Sequence, residues 1–152
     1  MNNFMIRTIK EHEMDDLIRL IEEHTAYEKT AYDSTGKKER LQAHLFQSKS
    51  QLKCWVVEID GKLKGFCTYT IDYSTWDAAN FLYMDCLYLC EDTRGMGIGS
   101  EIIRKLKEIA QENDCVNLQW QTPVFNQPAI DFYQKNGASC KDKVRFTLTI
   151  KA

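Results

Sequence analysis

At 152 residues, with 43% hydrophobic and 28% charged side chains, the chain has the composition of one globular domain, long enough to bury a core without staples. A net charge of −2 and a pI near 5.9 speak against a nucleic-acid binder, which would carry a basic face. Six cysteines (Cys54, Cys67, Cys86, Cys90, Cys115 and Cys140) show neither C-x-x-C spacing nor a paired-histidine partner, so no metal site is expected.

The opening residues, Met1 to Arg7, lack the apolar stretch of a signal peptide, and no run approaches the length of a membrane span. Free thiols without an export signal point to a reducing, cytoplasmic setting. Phe4 to Ile9 alternates apolar and polar residues and is expected to form the first strand. Asp15 to Ala26 places Leu17, Leu20, Ile21 and His24 at helical spacing, an amphipathic helix. Tyr27 to Gly36 is a polar connection, and Lys38 to Gln47 offers a second helical face. From Glu11 to Glu39 there are nine acids against four bases. Such a segment attracts a cationic substrate, or is simply a solvated helix face.

Cys54 to Ile59 and Leu63 to Ile71 read as strands joined by Asp60-Gly61, a type I′ hairpin signal. Asp72 to Asn80 is expected to be a loop carrying Tyr73 and Trp76. Phe81 to Cys90 is a dense apolar run broken only by Asp85, which suits a central strand. Ile98, Ile102, Ile103, Leu106, Ile109 and Ala110 then follow a 3.6-residue period, a long helix supported by Glu101–Lys105 and Arg104–Glu108 pairs. Val116 to Gln121 is a further strand. Pro128 to Lys135 is a short helix with Pro in its first turn and Gly137 just beyond its end. Val144 to Ile150 alternates and is expected to be the last strand. The order is β-α-α-β-β-β-α-β-α-β, an α/β domain with a mixed sheet.

The strongest chemical signal is Arg94-Gly95-Met96-Gly97-Ile98-Gly99-Ser100, directly after a buried strand and opening a long helix. Glycines let a backbone approach a ligand closely. The first N–H groups of a helix have no internal partner, and its dipole favours an anion. A phosphate suits that position, with Arg94 adding a charge-assisted contact. The spacing is not that of a dinucleotide fold, and the G-K-[ST] of a Walker loop is absent. The competing account is a tight connection that needs glycine for packing alone.

This turn resembles the acetyl-CoA pyrophosphate loop of the GNAT acetyltransferases, through Arg94, Gly97 and Gly99. A second family element also matches: Asn126-Gln127-Pro128-Ala129-Ile130-Asp131-Phe132-Tyr133, then Asn136-Gly137-Ala138. Within the family the chain is most similar to the diamine (spermidine/spermine) and thialysine acetyltransferases, with Tyr27-Glu28, Tyr73 and Trp76 as further points of likeness. The resemblance covers nearly the whole chain. It implies a single acetyltransferase domain over residues 1–152, with a mixed, mostly antiparallel twisted sheet of six to seven strands and about four helices. It also implies acetyl-CoA as donor, a small amine as acceptor, no nucleic acid or membrane as partner, and a homodimer.

Residue by residue, the resemblance implies that backbone groups of Leu87 and Leu89 hold the pantetheine arm and that the 94–100 turn, with Asn126, Pro128 and Ala129, holds the rest of the coenzyme. Tyr133 would protonate the leaving thiolate, and Asp85 would bind the amine and relay its proton through water. Tyr27, Glu28, Tyr73, Trp76, Gln119, Trp120 and Gln121 would line the acceptor cleft, the aromatics by cation–π contact. By residue type alone, Leu87 and Leu89 are core, Tyr133 is an amphipathic helix residue, Glu28 is a solvated acid, and Asn126 is a helix cap. The cysteines read as small core hydrophobes. The three histidines, His12, His24 and His44, lie far in sequence from both motifs, without a triad partner.

Three positions depart from the diamine branch: Asp85 stands for a Glu, Cys86 occupies an acidic position, and the segment after Gly137 is short, with Asp142 between Lys141 and Lys143. Fewer carboxylates imply an acceptor shorter or less charged than spermine. The alternatives are acetylation of a protein N-terminus or lysine, and a non-catalytic acyl-CoA sensor.

Overall fold

Alternation in the strands and the 3.6-residue period in the helices sort the apolar side chains onto faces that one central sheet can bury. The computed structural model describes residues 3–151. Its strands are β1 (Phe4–Thr8), β2 (Lys53–Ile59), β3 (Lys62–Ser74), β4 (Ala79–Leu89) and β5 (Cys115–Gln119). Its helices are α1 (Met14–Tyr27), α2 (Lys37–Leu45), α3 (Ile98–Glu112) and α4 (Gln127–Lys135). Residues 1–121 form one compact unit and residues 122–152 a second.

In the first unit the five strands lie in the order β1-β2-β3-β4-β5. All neighbours are antiparallel except β4 and β5, which run parallel. β2 explains the two-sided core. Cys54 and Val56 pack with Leu17 and Leu20 of α1, whereas Trp55, on the other face, lies under Lys105 of α3 with 5.5 Å from Nζ to the ring. On α3, Ile98, Ile102, Ile103, Leu106 and Ala110 are all buried, as the period requires. The hairpin at Asp60-Gly61 has positive φ at both residues (51° and 76°), the type I′ geometry its sequence predicts. Gly65 is needed for close approach: a Cβ there would meet the Leu89 side chain and the Tyr88 carbonyl oxygen at 2.7 Å.

A partly buried ion-pair network ties the chain's start together. Arg7 on β1 donates to Glu13, in the turn before α1, at 2.9 and 2.7 Å, and to Glu58 on β2 at 2.6 Å. Arg104 bonds both Glu101 and Glu108 on α3, so the expected Glu101–Lys105 pair is replaced by Glu101–Arg104, and Lys105 turns to Trp55 instead.

Two expectations need correction. Asp72 to Asn80 is not a loop throughout: the β3–β4 ladder continues through Asp72↔Phe81, Tyr73↔Asn80 and Ser74↔Ala79. Its tip is open to solvent on both sides, so the strands carry no apolar alternation there. The strand expected at Val144–Ile150 is also absent, and among the described residues the sheet has five strands rather than six or seven. Val144, Phe146, Leu148 and Ile150 are instead 78–90% exposed. Alternation gives a segment an apolar face, but a strand also needs a neighbour to take up its N–H and C=O groups. No helix among the described residues is long and apolar enough to cross a membrane.

Candidate active site

The glycine turn is built by backbone conformations that only glycine adopts without strain. Gly95 (φ 84°) and Gly97 (φ 81°) are left-handed, and Gly97 is the N-cap of α3. A Cβ on either would meet nothing within 4 Å. Packing therefore does not explain these glycines. What they provide is a sharp turn facing open space, with the first amides of α3 presented to it. Ile98 and Gly99 are buried behind the turn, Met96 is half-buried, and Arg94 and Ser100 are exposed. Arg94 Nε donates to the Leu89 carbonyl at 3.1 Å, anchoring the cation at the end of β4.

β4 carries two further features. The register jumps from Thr68↔Cys86 to Tyr69↔Met84, so Asp85 is the extra residue of a β-bulge. The bulge turns Asp85 outward, where it is exposed and accepts from the Cys86 thiol at 3.7 Å. This settles how an acid sits in an apolar run. Second, β4 pairs with β5 only at Asn80, Leu82 and Tyr83. From Met84 onward its far edge has no strand beside it among the described residues. Cys90 N–H donates to Lys64 on the β3 side at 2.8 Å. Since backbone groups alternate in direction along a strand, Leu87 and Leu89 turn theirs towards the open edge. That is a row of main-chain groups able to take an extended ligand as an added strand.

The acceptor candidates fall into separate groups. Tyr27, exposed at the end of α1, carries the Arg94 guanidinium 4.7 Å above its ring centroid. Glu28 caps α1, its N–H bonding the His24 and Ala26 carbonyls. Gln121 Nε2 donates to the Tyr83 hydroxyl at 3.1 Å, and Gln119 bonds Asn117 on its own strand at 3.1 Å. Trp120 is half-buried. Tyr73 and Trp76 are 67% and 93% exposed at the β3–β4 tip. With a strand rise of about 3.3 Å per residue, that tip lies about 30 Å along β4 from Arg94. A polar cleft of about 890 Å³ opens elsewhere, between α1 and the β2–β3 turn, lined by Arg19, Glu23, Lys64, Tyr88 and Asp92 among others.

In the second unit, Asn126 is buried and its side chain accepts from the Ala129 amide at 3.4 Å, an N-cap with Pro128 in the first turn. Tyr133 is half-buried and packs edge-on against Phe132, with centroids 5.4 Å apart. Gly137 follows α4 with φ 96°.

Cys54, Cys67 and Cys90 are buried and all six cysteines are free. Burial, reinforced by the neighbouring Asp85 carboxylate, pushes the Cys86 thiol up to about 12. It stays protonated and is no nucleophile near neutral pH. No group of three or more His, Cys, Asp or Glu side chains among the described residues could hold a metal.

One residue escaped the sequence reading. His24 Nε2 lies 2.8 Å from Glu28 Oε2, and its ring stacks on Tyr88 with centroids 5.4 Å apart. The signal was present as an i, i+4 spacing, but a histidine on an apolar helix face reads as core.

The glycine turn and the open β4 edge together fit a ligand with a pyrophosphate and an extended arm. Residues 12–138 match the model of the Acetyltransferase (GNAT) family. The chain belongs to the GNAT acetyltransferase family. It is accordingly an acetyltransferase enzyme, with acetyl-CoA as its acetyl donor. The thialysine N-epsilon-acetyltransferase of Bos taurus is 35% identical over 142 residues, 88% of this chain and 83% of the relative. An integron cassette protein from V. cholerae is 28% identical with TM-score 0.77, covering 97% of this chain and 94% of that one. An aminoglycoside N-acetyltransferase in complex with CoA shares the fold, with TM-score 0.80 at 15% identity, covering 99% and 97% of the two chains. The likeness to the diamine and thialysine branch thus extends over most of this GNAT chain.

Proposed function

We propose that this GNAT enzyme acetylates a primary amine of a small cationic acceptor, a diamine, polyamine or lysine-like amino acid, by direct attack in a ternary complex. The observation that carries the reading is the bulge at Asp85. It puts a solvated carboxylate on β4 just past that strand's last pairing with β5, two residues before Leu87 on the open edge. A carboxylate there attracts an ammonium and receives its proton, through a water since Asp is a short acid. The amide at Leu87 supplies an oxyanion-type contact for the thioester carbonyl. Tyr133 supplies the proton to the departing sulfur from its phenolic O–H. The protonated Cys86 supports direct transfer over an acetyl-cysteine route.

The name of the Bos taurus relative supports a lysine-like acceptor, and Asp85 in place of Glu favours one shorter than spermine. We read residues 1–152 as one acetyltransferase domain that works as a homodimer. The four exposed apolar side chains from Val144 to Ile150 support the dimer, because a second copy would cover them. A second reading, acetylation of a protein N-terminus or lysine, is favoured by one observation: Trp76 is 93% exposed and does not roof a small-molecule site.

Thiol release from acetyl-CoA with putrescine, spermidine, lysine, thialysine and a basic peptide separates these readings. Turnover of the small amines supports the first, turnover of the peptide alone supports the second, and no turnover on any of them sinks both.

A further inference from the structure

His24 sits in the last turn of α1 with its side chain 12% exposed. Its ring is wedged between two core aromatics, stacked on Tyr88 (5.4 Å, 27°) and edge-on to Phe66 (5.8 Å, 72°). Tyr88 and Phe66 are themselves buried, at 8% and 1% exposure. The imidazole is therefore held by packing on two sides. Its Nε2 reaches Glu28 Oε2 at 2.8 Å. An ionised carboxylate only accepts, so Nε2 carries the hydrogen and His24 donates. Glu28 is further fixed by its backbone, whose N–H bonds the His24 carbonyl at 3.0 Å.

Glu28 itself is 32% exposed, and Oε1 accepts no hydrogen bond from the described residues. The strong cation nearby does not compete for it. Arg94 is engaged by the Leu89 carbonyl and by the faces of Tyr27 and Tyr88. Glu23 receives the Tyr88 hydroxyl at 3.4 Å. The result is a partly exposed carboxylate with one oxygen clamped by a rigid imidazole and the other without a hydrogen bond from the described residues. A flexible glutamate loses rotamer freedom when it captures a cation, and a clamped one has already lost it.

We propose that His24 is a positioning residue for Glu28, and that through Glu28 it sets the preference for acceptors carrying a second ammonium over simple monoamines. The proposal rests on the reading of Glu28 as an acceptor-site residue. His24 touches neither reacting atom. Its effect is confined to how well the distal cation is held, so it appears in KM for a dication and not in kcat.

The test uses the intact enzyme with acetyl-CoA and two acceptors of similar length, 1,3-diaminopropane and propylamine. His24→Leu fills the same space without a donor, and raises KM for the diamine about tenfold, the loss expected when one side chain must be ordered on binding, while kcat and the propylamine KM stay within twofold. His24→Gln places an amide donor near the Nε2 position and restores the diamine KM to within about threefold. In a Glu28→Gln background, His24→Leu has no additional effect. An unchanged diamine KM in His24→Leu, an equal rise for propylamine, or the same effect with and without Glu28 would overturn the proposal. Should His24→Leu fail to fold, His24→Phe, a ring without a donor, carries the same comparison. A wild type that acetylates peptide but neither amine overturns the small-amine reading and this proposal together, whereas an active wild type with indifferent variants overturns this proposal alone.

Discussion

The guanidinium of Arg94 lies 4.7 Å above the Tyr27 ring. One residue belongs to the turn proposed to take the pyrophosphate, the other to the end of α1 where the acceptor is proposed to enter. The two half-sites therefore share a contact, and a change at Tyr27 reaches the coenzyme. Tyr27→Ala is expected to raise the KM for acetyl-CoA two- to fivefold, the worth of an exposed cation–π contact of about 0.5–1 kcal/mol. Tyr27→Phe keeps the ring and is expected to leave it unchanged. Steady-state kinetics at saturating amine decide the matter.

Tyr133→Phe removes the proposed proton donor and keeps the ring against Phe132. We expect kcat to fall by about 10²–10⁴ with the KM for acetyl-CoA unaltered. Wild-type turnover in this variant would remove Tyr133 from the chemistry.

Asp85→Asn keeps the size of the bulged residue and deletes its charge. The expected outcome is a fall in kcat/KM of about 10²-fold for cationic amines, with acetyl-CoA affinity preserved in a binding titration. Loss of acetyl-CoA binding would mean that Asp85 serves the strand and not the acceptor.

Stability should respond to acid through Glu13. The hydrogen bonds from Arg7 hold the Glu13 carboxyl at about 2, below its ordinary value of 4.5. Because the folded value is the lower one, the stabilisation is complete above pH 4.5 and is lost as the pH falls towards 2. Glu13→Gln should cost on the order of 2 kcal/mol near neutral pH, and the gap to wild type should close below pH 4 in denaturant titrations. A constant gap across pH would contradict this assignment.

The exposed apolar row from Val144 to Ile150 bears on assembly. Phe146→Ser with Leu148→Ser should convert a dimer to a monomer in sedimentation, since these are large side chains facing solvent in the single chain. A wild-type monomer at micromolar concentration would refute the dimer.

Much of this was legible in the chain. Asp60-Gly61 announced its hairpin, the α3 period announced its buried face, and Arg94 to Ser100 announced a glycine turn opening α3, because each signal is local. What was hidden depends on partners distant in sequence. The bulge at Asp85 follows from the β3 register, which an apolar run does not encode. The His24 clamp needs Tyr88, which only folding brings beneath α1. Val144 to Ile150 has the alternation of a strand, but alternation cannot say which edge, if any, will pair with it.

The central claim is direct acetyl transfer from acetyl-CoA to a small amine while both are bound. Initial velocities measured with acetyl-CoA and a diamine varied together test it most directly. Lines that intersect in a double-reciprocal plot, with one thiol released per acetylated amine, are the predicted result. Parallel lines, with an acetylated enzyme trapped in the absence of amine, would contradict it.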